Sequence, residues 1–204
     1  MWVPNLFVLA THDIPINENV KIITYADDVT FLVRHKNYRR AAQIAQNHLS
    51  DLEEWLRNNR MKVAPQKSSV TLFTSDNLER QVKPDLYLNN QNIPNSDNPT
   101  ILGLTFDPTL TYTPHIENIC NKVDKKINTI KSLAGTTFGQ QKEDQIRLYR
   151  QYIRPSLNYA SPAWSGQTSK TNIKKLQTKQ NKALLKSCHR MHCVHPNWSS
   201  ALGN

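Results

Sequence analysis

"KIITYADDVTFLVRHK", residues 21–36, places two adjacent carboxylates between two strongly strand-forming runs. The flanking residues, 22–25 and 29–33, are mostly β-branched or aromatic, which predicts a β-hairpin with Asp27 and Asp28 at its tip. Adjacent side chains of a flat strand point to opposite faces, so only a tight turn aims both carboxylates into one small volume. Like charges brought that close repel unless a cation such as Mg²⁺ neutralises them. Asp-Asp is also an ordinary solvated turn dipeptide, and four residues alone leave both interpretations open.

The net excess of positive charge lies entirely in the second half of the chain. Residues 1–110 contain 11 basic and 12 acidic side chains, whereas residues 111–204 contain 15 and 4. Residues 168–204 contain seven Lys or Arg and no Asp or Glu. Such one-sided charge indicates a polyanionic partner, most often nucleic acid, although a merely soluble basic surface has the same composition.

Cysteine content and the N-terminal segment bear on the cellular compartment. Three cysteines are an odd number, in a chain of 204 residues that is long enough to fold without disulfides, which favours a reducing setting. The apolar opening "MWVPNLFVLA" has no basic region before it and is too short to span a bilayer. We therefore expect an intracellular protein of the nucleus or cytoplasm that is neither secreted nor embedded in a membrane.

The periodicity of apolar residues changes along the chain. Helices are predicted at residues 38–59, 114–135, 142–158 and 171–187, the third bent in its last turn by Pro155. Strands are predicted at residues 68–74, 85–90 and 98–106, between loops rich in Asn, Asp and Pro. The order predicts an α+β fold, in which a β-hairpin, a helix and antiparallel strands (1–110) precede a basic all-helical region (111–190) and a tail (191–204).

Tyr25-Ala26-Asp27-Asp28 between two strands resembles the Y-A-D-D active-site turn of reverse transcriptases, specifically those of non-LTR retrotransposons of the jockey and LINE kind. Other segments are similar to further motifs of that family in the same order. These are "VPNLFVLATHDIP" (3–15, end of motif B), "NRMKVAPQKSSVTLFT" (59–74, motif D), "TILGLTFDPTLTYTPHI" (100–116, motif E), and "IRLYRQYIRPSLNYASPAW" (146–164) with "LQTKQNKALLKSCHRM" (176–191), which resemble the helical thumb and the segment next to it. The resemblance covers nearly the whole chain and implies a partial polymerase palm followed by a thumb-like region.

The resemblance implies an RNA-directed DNA polymerase that joins nucleotides with two Mg²⁺ ions, with Mn²⁺ able to replace them. Asp27 is expected as a direct metal ligand and Asp28 as a secondary ligand or supporting charge. Lys67 matches the motif D lysine beside the incoming triphosphate, where it would be a charge partner or proton donor, although a surface lysine next to a loop fits equally well. The implied partners are an RNA template, a DNA primer, their hybrid, and deoxynucleoside triphosphates.

The resemblance also implies contacts with primer and template. Tyr25 and Ala26 would lie against the primer end and the active-site floor, and Leu102 and Gly103 at the primer grip, where glycine lets backbone approach closely. Core packing explains Tyr25 equally well, and ordinary strand packing explains Leu102 equally well. The last predicted helix is expected to follow the nucleic-acid backbone, with two tryptophans as stacking groups or core residues. The residues are Lys170, Lys174, Lys175, Lys179 and Lys182, with Trp164 and Trp198.

The sequence departs from the family at its beginning. A complete palm has a further metal-binding Asp on an earlier strand, together with a fingers region that binds the nucleotide. The acidic residues before Tyr25, Asp13 and Glu18, fall in the loop after the motif B helix instead. We therefore expect the polypeptide alone to polymerise little or nothing, as a truncated element or broken gene model would. Its first 110 residues are expected to expose a sheet edge and part of the apolar face, and so to aggregate or be partly disordered.

Two alternatives stay open. The chain could be a non-catalytic module that binds RNA or RNA–DNA hybrid through its basic helices, which needs no upstream Asp. Near the end, Cys188, His189, His192, Cys193 and His195 are residue types that bind zinc. On a helix these side chains point along two directions about 100° apart, so a basic segment with incidental Cys and His is favoured and no zinc site is assigned.

Overall fold

The computed structural model describes residues 11–133 and 142–187. Contacts divide the chain into two compact units, Met1–Pro99 and Thr100–Asn204. This division precedes the border predicted near residue 110, because the strand pair at 100–105 contacts the first helix of the second unit. Helices and small antiparallel strand pairs confirm the α+β class, while the assignment of the units to palm and thumb stays a prediction.

The first unit begins with the predicted hairpin. Strand β1 (Val20–Tyr25) pairs antiparallel with β2 (Asp28–Val33), with Val20 opposite Val33 and Tyr25 opposite Asp28. Ala26 and Asp27 form the two-residue turn between them. β1 and β2 form a sheet of two strands only, within the described part of the chain.

Helix α1 (Tyr38–Asn58) confirms the helix predicted at 38–59. It begins at Asn37, whose side-chain oxygen accepts hydrogen bonds from the N–H groups of Arg39 (2.9 Å) and Arg40 (3.4 Å). Its apolar stripe packs with one face of the hairpin and with the segment C-terminal to the helix. The buried residues of this core are Ile14, Leu49, Leu52, Leu56, Leu86, Leu88 and Ile93.

The prediction of three single strands after α1 was wrong, because the structure has two short hairpins and one isolated bridge in their place. Residues 85–90 and 98–106 each begin a short hairpin, β3 (Tyr87–Leu88) with β4 (Gln91–Asn92) and β5 (Thr100–Ile101) with β6 (Leu104–Thr105). Asn89-Asn90 and Leu102-Gly103 are the turns, and all four residues have left-handed φ angles between 48 and 78°. Asn and Gly tolerate this conformation, so turn chemistry interrupts runs that otherwise favour strands. Residues 68–74 contribute only an isolated bridge, between Val70 and Asn95.

The second unit is built from helices. These are α2 (Thr113–Leu133), α3 (Lys142–Leu148), a π-helical turn (Tyr149–Ile153), α4 (Arg154–Asn158), α5 (Ser161–Trp164) and α6 (Lys170–Ser187). The predicted helices are confirmed. The π-helical turn ends two residues before Pro155, whose ring crowds the preceding turn and supplies no N–H to it.

The core of the second unit centres on the stripe predicted for α2. Ile116 and Val123 are fully buried, and the helices that pack on them bury Ile153 and Leu157. Ala134, the last residue of the predicted stripe, lies outside the described residues. Every helix within residues 11–133 and 142–187 is too short or too polar to span a bilayer.

The loop that leads into α2 is organised around the buried carboxylate of Asp107. Its Oδ2 accepts hydrogen bonds from the Thr109 hydroxyl (2.6 Å) and from the N–H and hydroxyl of Thr111 (3.1 and 3.0 Å). Its Oδ1 accepts the N–H of Tyr112 at 2.6 Å. Burial alone would raise the pKa of Asp107, but these bonds outweigh it and hold the pKa below its ordinary value. They also fix the left-handed backbone of Leu110 and Tyr112.

Replacing Asp107 by Ala should lower the free energy of unfolding of the second unit by about 2–4 kcal/mol, because buried donors would lose their acceptor. Amide hydrogen exchange of α2 would measure the loss. Asp144→Ala is the matched control, since Asp144 forms an exposed pair with Arg147 at 4.0 Å, and such pairs contribute little. Equal exchange in the two variants would contradict a structural role for Asp107.

Candidate active site and nucleic-acid interface

The hairpin tip presents both carboxylates to solvent. Asp27 lies in the turn, and Asp28 is the first residue of β2, paired with Tyr25. Within the described residues, neither side chain forms a hydrogen bond or an ion pair. Ala26 closes the turn with a φ of 50°, a conformation that costs a residue with a Cβ about 1–2 kcal/mol. The ladder thus holds a strained turn that leaves two adjacent carboxylates free to bind a cation.

One face of the hairpin is exposed and bears apolar side chains among polar ones. The pairing places Tyr25 and Asp28 directly opposite each other, on the face that also bears Ile23 and Leu32. Tyr25 is 64% exposed, and Ile23 and Leu32 are 42% and 41% exposed. Tyr25 is therefore a surface residue beside Asp28, and the core interpretation of it was wrong.

The donor set at the tip suits Mg²⁺, because hard divalent cations prefer carboxylate oxygens. Two carboxylates are few for such a site. Within residues 11–133 and 142–187, no group of three or more His, Cys, Asp or Glu side chains is placed to hold a metal ion. Lys67 ends a 3-10 turn (Pro65–Lys67) and is exposed, and it forms no ion pair with either carboxylate.

The Leu102-Gly103 pair forms the turn between β5 and β6, with φ angles of 48 and 78°. The Tyr159 hydroxyl donates a hydrogen bond to the Leu102 carbonyl at 2.8 Å. A Cβ added to Gly103 would lie 3.4 Å from the Tyr159 ring. Leu102 is 42% exposed, so it is not a core residue. Tyr159 went unnoticed in the sequence, because the bond joins residues 57 positions apart.

The lysines predicted to follow nucleic acid fall into two groups. Lys175 lies 3.7 Å from Glu117, and Lys179 and Lys182 both pair with Asp124. Glu117 and Asp124 belong to α2, so these three lysines dock α6 against α2. The hydrogen bond from Lys179 is the main cause that lowers the pKa of Asp124.

Lys170 and Lys174 form the second group. Both are exposed, and neither forms an ion pair within the described part of the chain. Of the predicted lysines on α6, these two have unneutralised charge. The sequence could not predict which lysines of α6 pair with acidic residues, because those partners lie on another helix, more than 50 residues away.

Trp164 is a core residue. It is 3% exposed, and its Nε1 donates a hydrogen bond to the Tyr159 carbonyl at 3.0 Å. The stacking role predicted as one alternative is therefore wrong for Trp164. Trp198 and the cluster Cys188, His189, His192, Cys193 and His195 lie outside the described residues.

A hairpin whose tip reads Tyr-Ala-Asp-Asp, inside an α+β fold, is the pattern expected of a template-directed polymerase. The family described as "Reverse transcriptase (RNA-dependent DNA polymerase)" matches residues 3–106, and the chain belongs to this family.

Individual relatives confirm the resemblance to polymerases of jockey-like elements. The chain is 26% identical over 184 residues to the probable RNA-directed DNA polymerase from transposon X-element of Drosophila melanogaster, covering 88% of this chain and 20% of that protein. It is 25% identical over 189 residues to the RNA-directed DNA polymerase from mobile element jockey of the same species, covering 89% and 20%. The chain thus spans about a fifth of the length of the curated relatives it matches. No solved structure matches it.

Replacing Gly103 by Ala should lower the free energy of unfolding of the second unit by about 1–2 kcal/mol, because alanine is strained at this φ. Urea denaturation followed by circular dichroism would measure the change. Gly166→Ala is the matched control, since an added Cβ there meets nothing within 4 Å. Equal stability of the two variants would show that the turn is not held in its left-handed form.

Proposed function

We propose that the chain contributes the last strands of the palm and the thumb of a retrotransposon RNA-directed DNA polymerase. The observation that supports this most is the strained tip of the hairpin, where Asp27 and Asp28 are exposed and unpaired within the described residues. The left-handed Ala26 is what a two-residue hairpin turn requires, whereas two adjacent like charges at its tip repel unless a cation neutralises them. A metal site gives a reason for the paired carboxylates.

In this proposal Asp27 binds Mg²⁺ or Mn²⁺ directly, and Asp28 is a second ligand or supporting charge. When bound, the metal ions activate the primer 3′-hydroxyl and neutralise charge on the triphosphate. Tyr25 and Ala26 form the floor beneath the primer end, and Lys67 is a charge partner of the triphosphate. Leu102 and Gly103 contact the primer, on a turn that Tyr159 holds in place.

A further carboxylate must complete the metal site. The described residues supply only the pair at the tip, and Asp28 lies on a hairpin face that exposes Ile23 and Leu32. A strand from another segment of the polymerase could pair with the hairpin and bring the third ligand. The polypeptide of residues 1–204, taken by itself, should therefore polymerise little.

Mn²⁺ titration followed by NMR tests the proposed ligands without any catalysis. In the wild-type chain, Mn²⁺ should broaden the amide signals of the hairpin tip first. Asp27→Asn with Asp28→Asn should weaken this effect at least about tenfold, because the ligands lose their charge. Asp13→Asn with Glu18→Gln removes two exposed charges from the same unit and should leave the broadening unchanged. Similar weakening in both double variants would show that Mn²⁺ binds the tip only as a nonspecific acidic surface, and would contradict the proposed ligands.

Primer extension on an oligo(dT)-primed poly(rA) template tests the need for a further carboxylate. The wild-type chain and Asp27→Ala should both extend little and bind the template equally, with affinity that falls steeply with salt. If the wild-type chain extends the primer and Asp27→Ala does not, the metal site needs no further carboxylate. The same result would support the role of Asp27 as a ligand. Absence of binding in both would contradict the nucleic-acid partner itself.

A further inference from the structure

Strand β6 is held against helix α2 by a buried histidine. The N–H of Thr105 in β6 donates a hydrogen bond to Nδ1 of His115 at 3.3 Å, and Asn118 of α2 donates to the Thr105 hydroxyl, also at 3.3 Å. His115 is 4% exposed and Thr105 is 8% exposed, so both groups are shielded from water. Two side chains of α2 therefore fix the hairpin that contains the Leu102-Gly103 turn.

The hydrogen bond from Thr105 requires a neutral histidine. A neutral imidazole has one nitrogen that accepts and one that bears a proton, so acceptance at Nδ1 of His115 places the proton on Nε2. Nε2 is buried and has no hydrogen-bond partner within the described residues. A second proton would bind at Nδ1 and face the N–H of Thr105, which would turn an attraction into a repulsion.

The elements around His115 supply no carboxylate that bonds to it within the described residues. Strand β6 and helix α5 have no charged side chain, and α5 contributes the ring of Trp164, whose centre lies 6.1 Å from that of His115. In the loop before α2, the ring centre of Tyr112 lies 6.5 Å away. The carboxylate of Asp107 in the same loop accepts from Tyr112 and two threonines instead.

Burial and a neighbouring cation both favour the neutral ring. Burial is the main cause that lowers the pKa of His115 from its ordinary value of 6.5, and the charge of Lys122 on the same helix is the second. The remaining titratable or charged groups on the surrounding elements are Glu117 and Lys125 on α2, Lys175 on α6, and Arg154 and Tyr159 on and after α4. Glu117 pairs with Lys175, so its charge is already balanced.

The β5–β6 hairpin has a second anchor that acid does not affect. The Tyr159 hydroxyl donates its proton to the Leu102 carbonyl at 2.8 Å, and additional protons in solution leave this bond unchanged. Histidine, in contrast, is the side chain whose ordinary pKa lies closest to neutral pH. Of the two anchors, the one at Thr105 is therefore the one that responds to mild acid.

We propose that His115 is a positioning residue for the Leu102-Gly103 turn, which its neutral ring fixes through Thr105 and which its protonation in mildly acidic solution releases. Because folding favours the neutral ring, the unfolded chain binds the proton first as the pH falls. The contribution of His115 to stability is thus complete above pH 6.5 and is lost as the pH falls from there to the lowered pKa. The inference rests on the proposed function only in taking the turn to contact the primer.

Amide hydrogen exchange followed by NMR tests the proposal on the whole chain, without metal or nucleic acid. In the wild type, the protection of the Thr105 amide, corrected for the intrinsic exchange rate at each pH, should fall at least about tenfold from about pH 7.5 to about pH 5. The amide of Val123 in the middle of α2 should keep its protection over this range. That comparison separates local release of β6 from unfolding of the unit.

Three variants separate the acceptor from the titration. His115→Asn keeps an oxygen acceptor near the place of Nδ1 but has no ring to protonate, so Thr105 should be equally protected at both pH values. His115→Ala removes the acceptor and should leave Thr105 weakly protected at both. His48→Asn is the matched control, since His48 is 1% exposed and its pKa is also lowered by burial, but it lies in the first unit. This control should keep the wild-type pH response of Thr105.

The ring tautomer gives a readout that needs no variant. Long-range ¹H–¹⁵N spectra should place the proton of His115 on Nε2 at neutral pH, and the ring and the Thr105 amide should titrate with one midpoint below 6.5. A proton on Nδ1, protection of Thr105 that does not change with pH, or an unchanged pH response in His115→Asn would each overturn the proposal. Since Mn²⁺ binding at the hairpin tip is measured separately, failure of either proposal can be told from failure of the other.

Discussion

Left-handed backbone at residues other than glycine is the constraint on which both units depend. Eight such residues occur in the described part of the chain, and three of them close turns that matter here: Ala26, Leu102 and Tyr112. Each costs about 1–2 kcal/mol, so each persists only where neighbouring contacts fix it. The β1–β2 ladder holds Ala26, the hydroxyl of Tyr159 holds Leu102, and the carboxylate of Asp107 holds Tyr112. The turns that present candidate functional groups are thus rigid because of bonds made by other residues.

Charge is organised in the second unit by the same helix that forms its core. Helix α2 buries Ile116 and Val123, while Glu117 and Asp124 pair with lysines of α6 and Lys122 and Lys125 are exposed to solvent. The strong excess of basic residues in the second half is therefore not one uniform surface. Part of it pairs with acidic residues between two helices, and part of it stays exposed without an ion pair within the described residues.

Short-range patterns predicted much of the fold. The β-branched runs around Asp27 predicted the hairpin, and the spacing of apolar residues predicted α1, α2 and α6, because both signals depend on neighbours along the chain. Turn residues inside the short hairpins were missed, since Leu102 has no intrinsic preference for the left-handed conformation. Roles set by distant partners were missed or left open: Tyr159 bonds to Leu102, Lys179 pairs with Asp124, and Trp164 is a core residue rather than a stacking group. The motif identified the candidate carboxylates, but only packing could separate docking lysines from free ones.

The exposed face of the hairpin and, in the proposed metal site, the need for a further carboxylate have one physical explanation. A sheet of two strands is marginally stable and cannot cover its second face, so Ile23 and Leu32 stay in solvent beside Asp28. An additional strand on this hairpin would cover apolar surface and, in the same step, could place another carboxylate near the tip. Stability and metal affinity would then rise together, because closing the sheet and completing the ligand set are the same event.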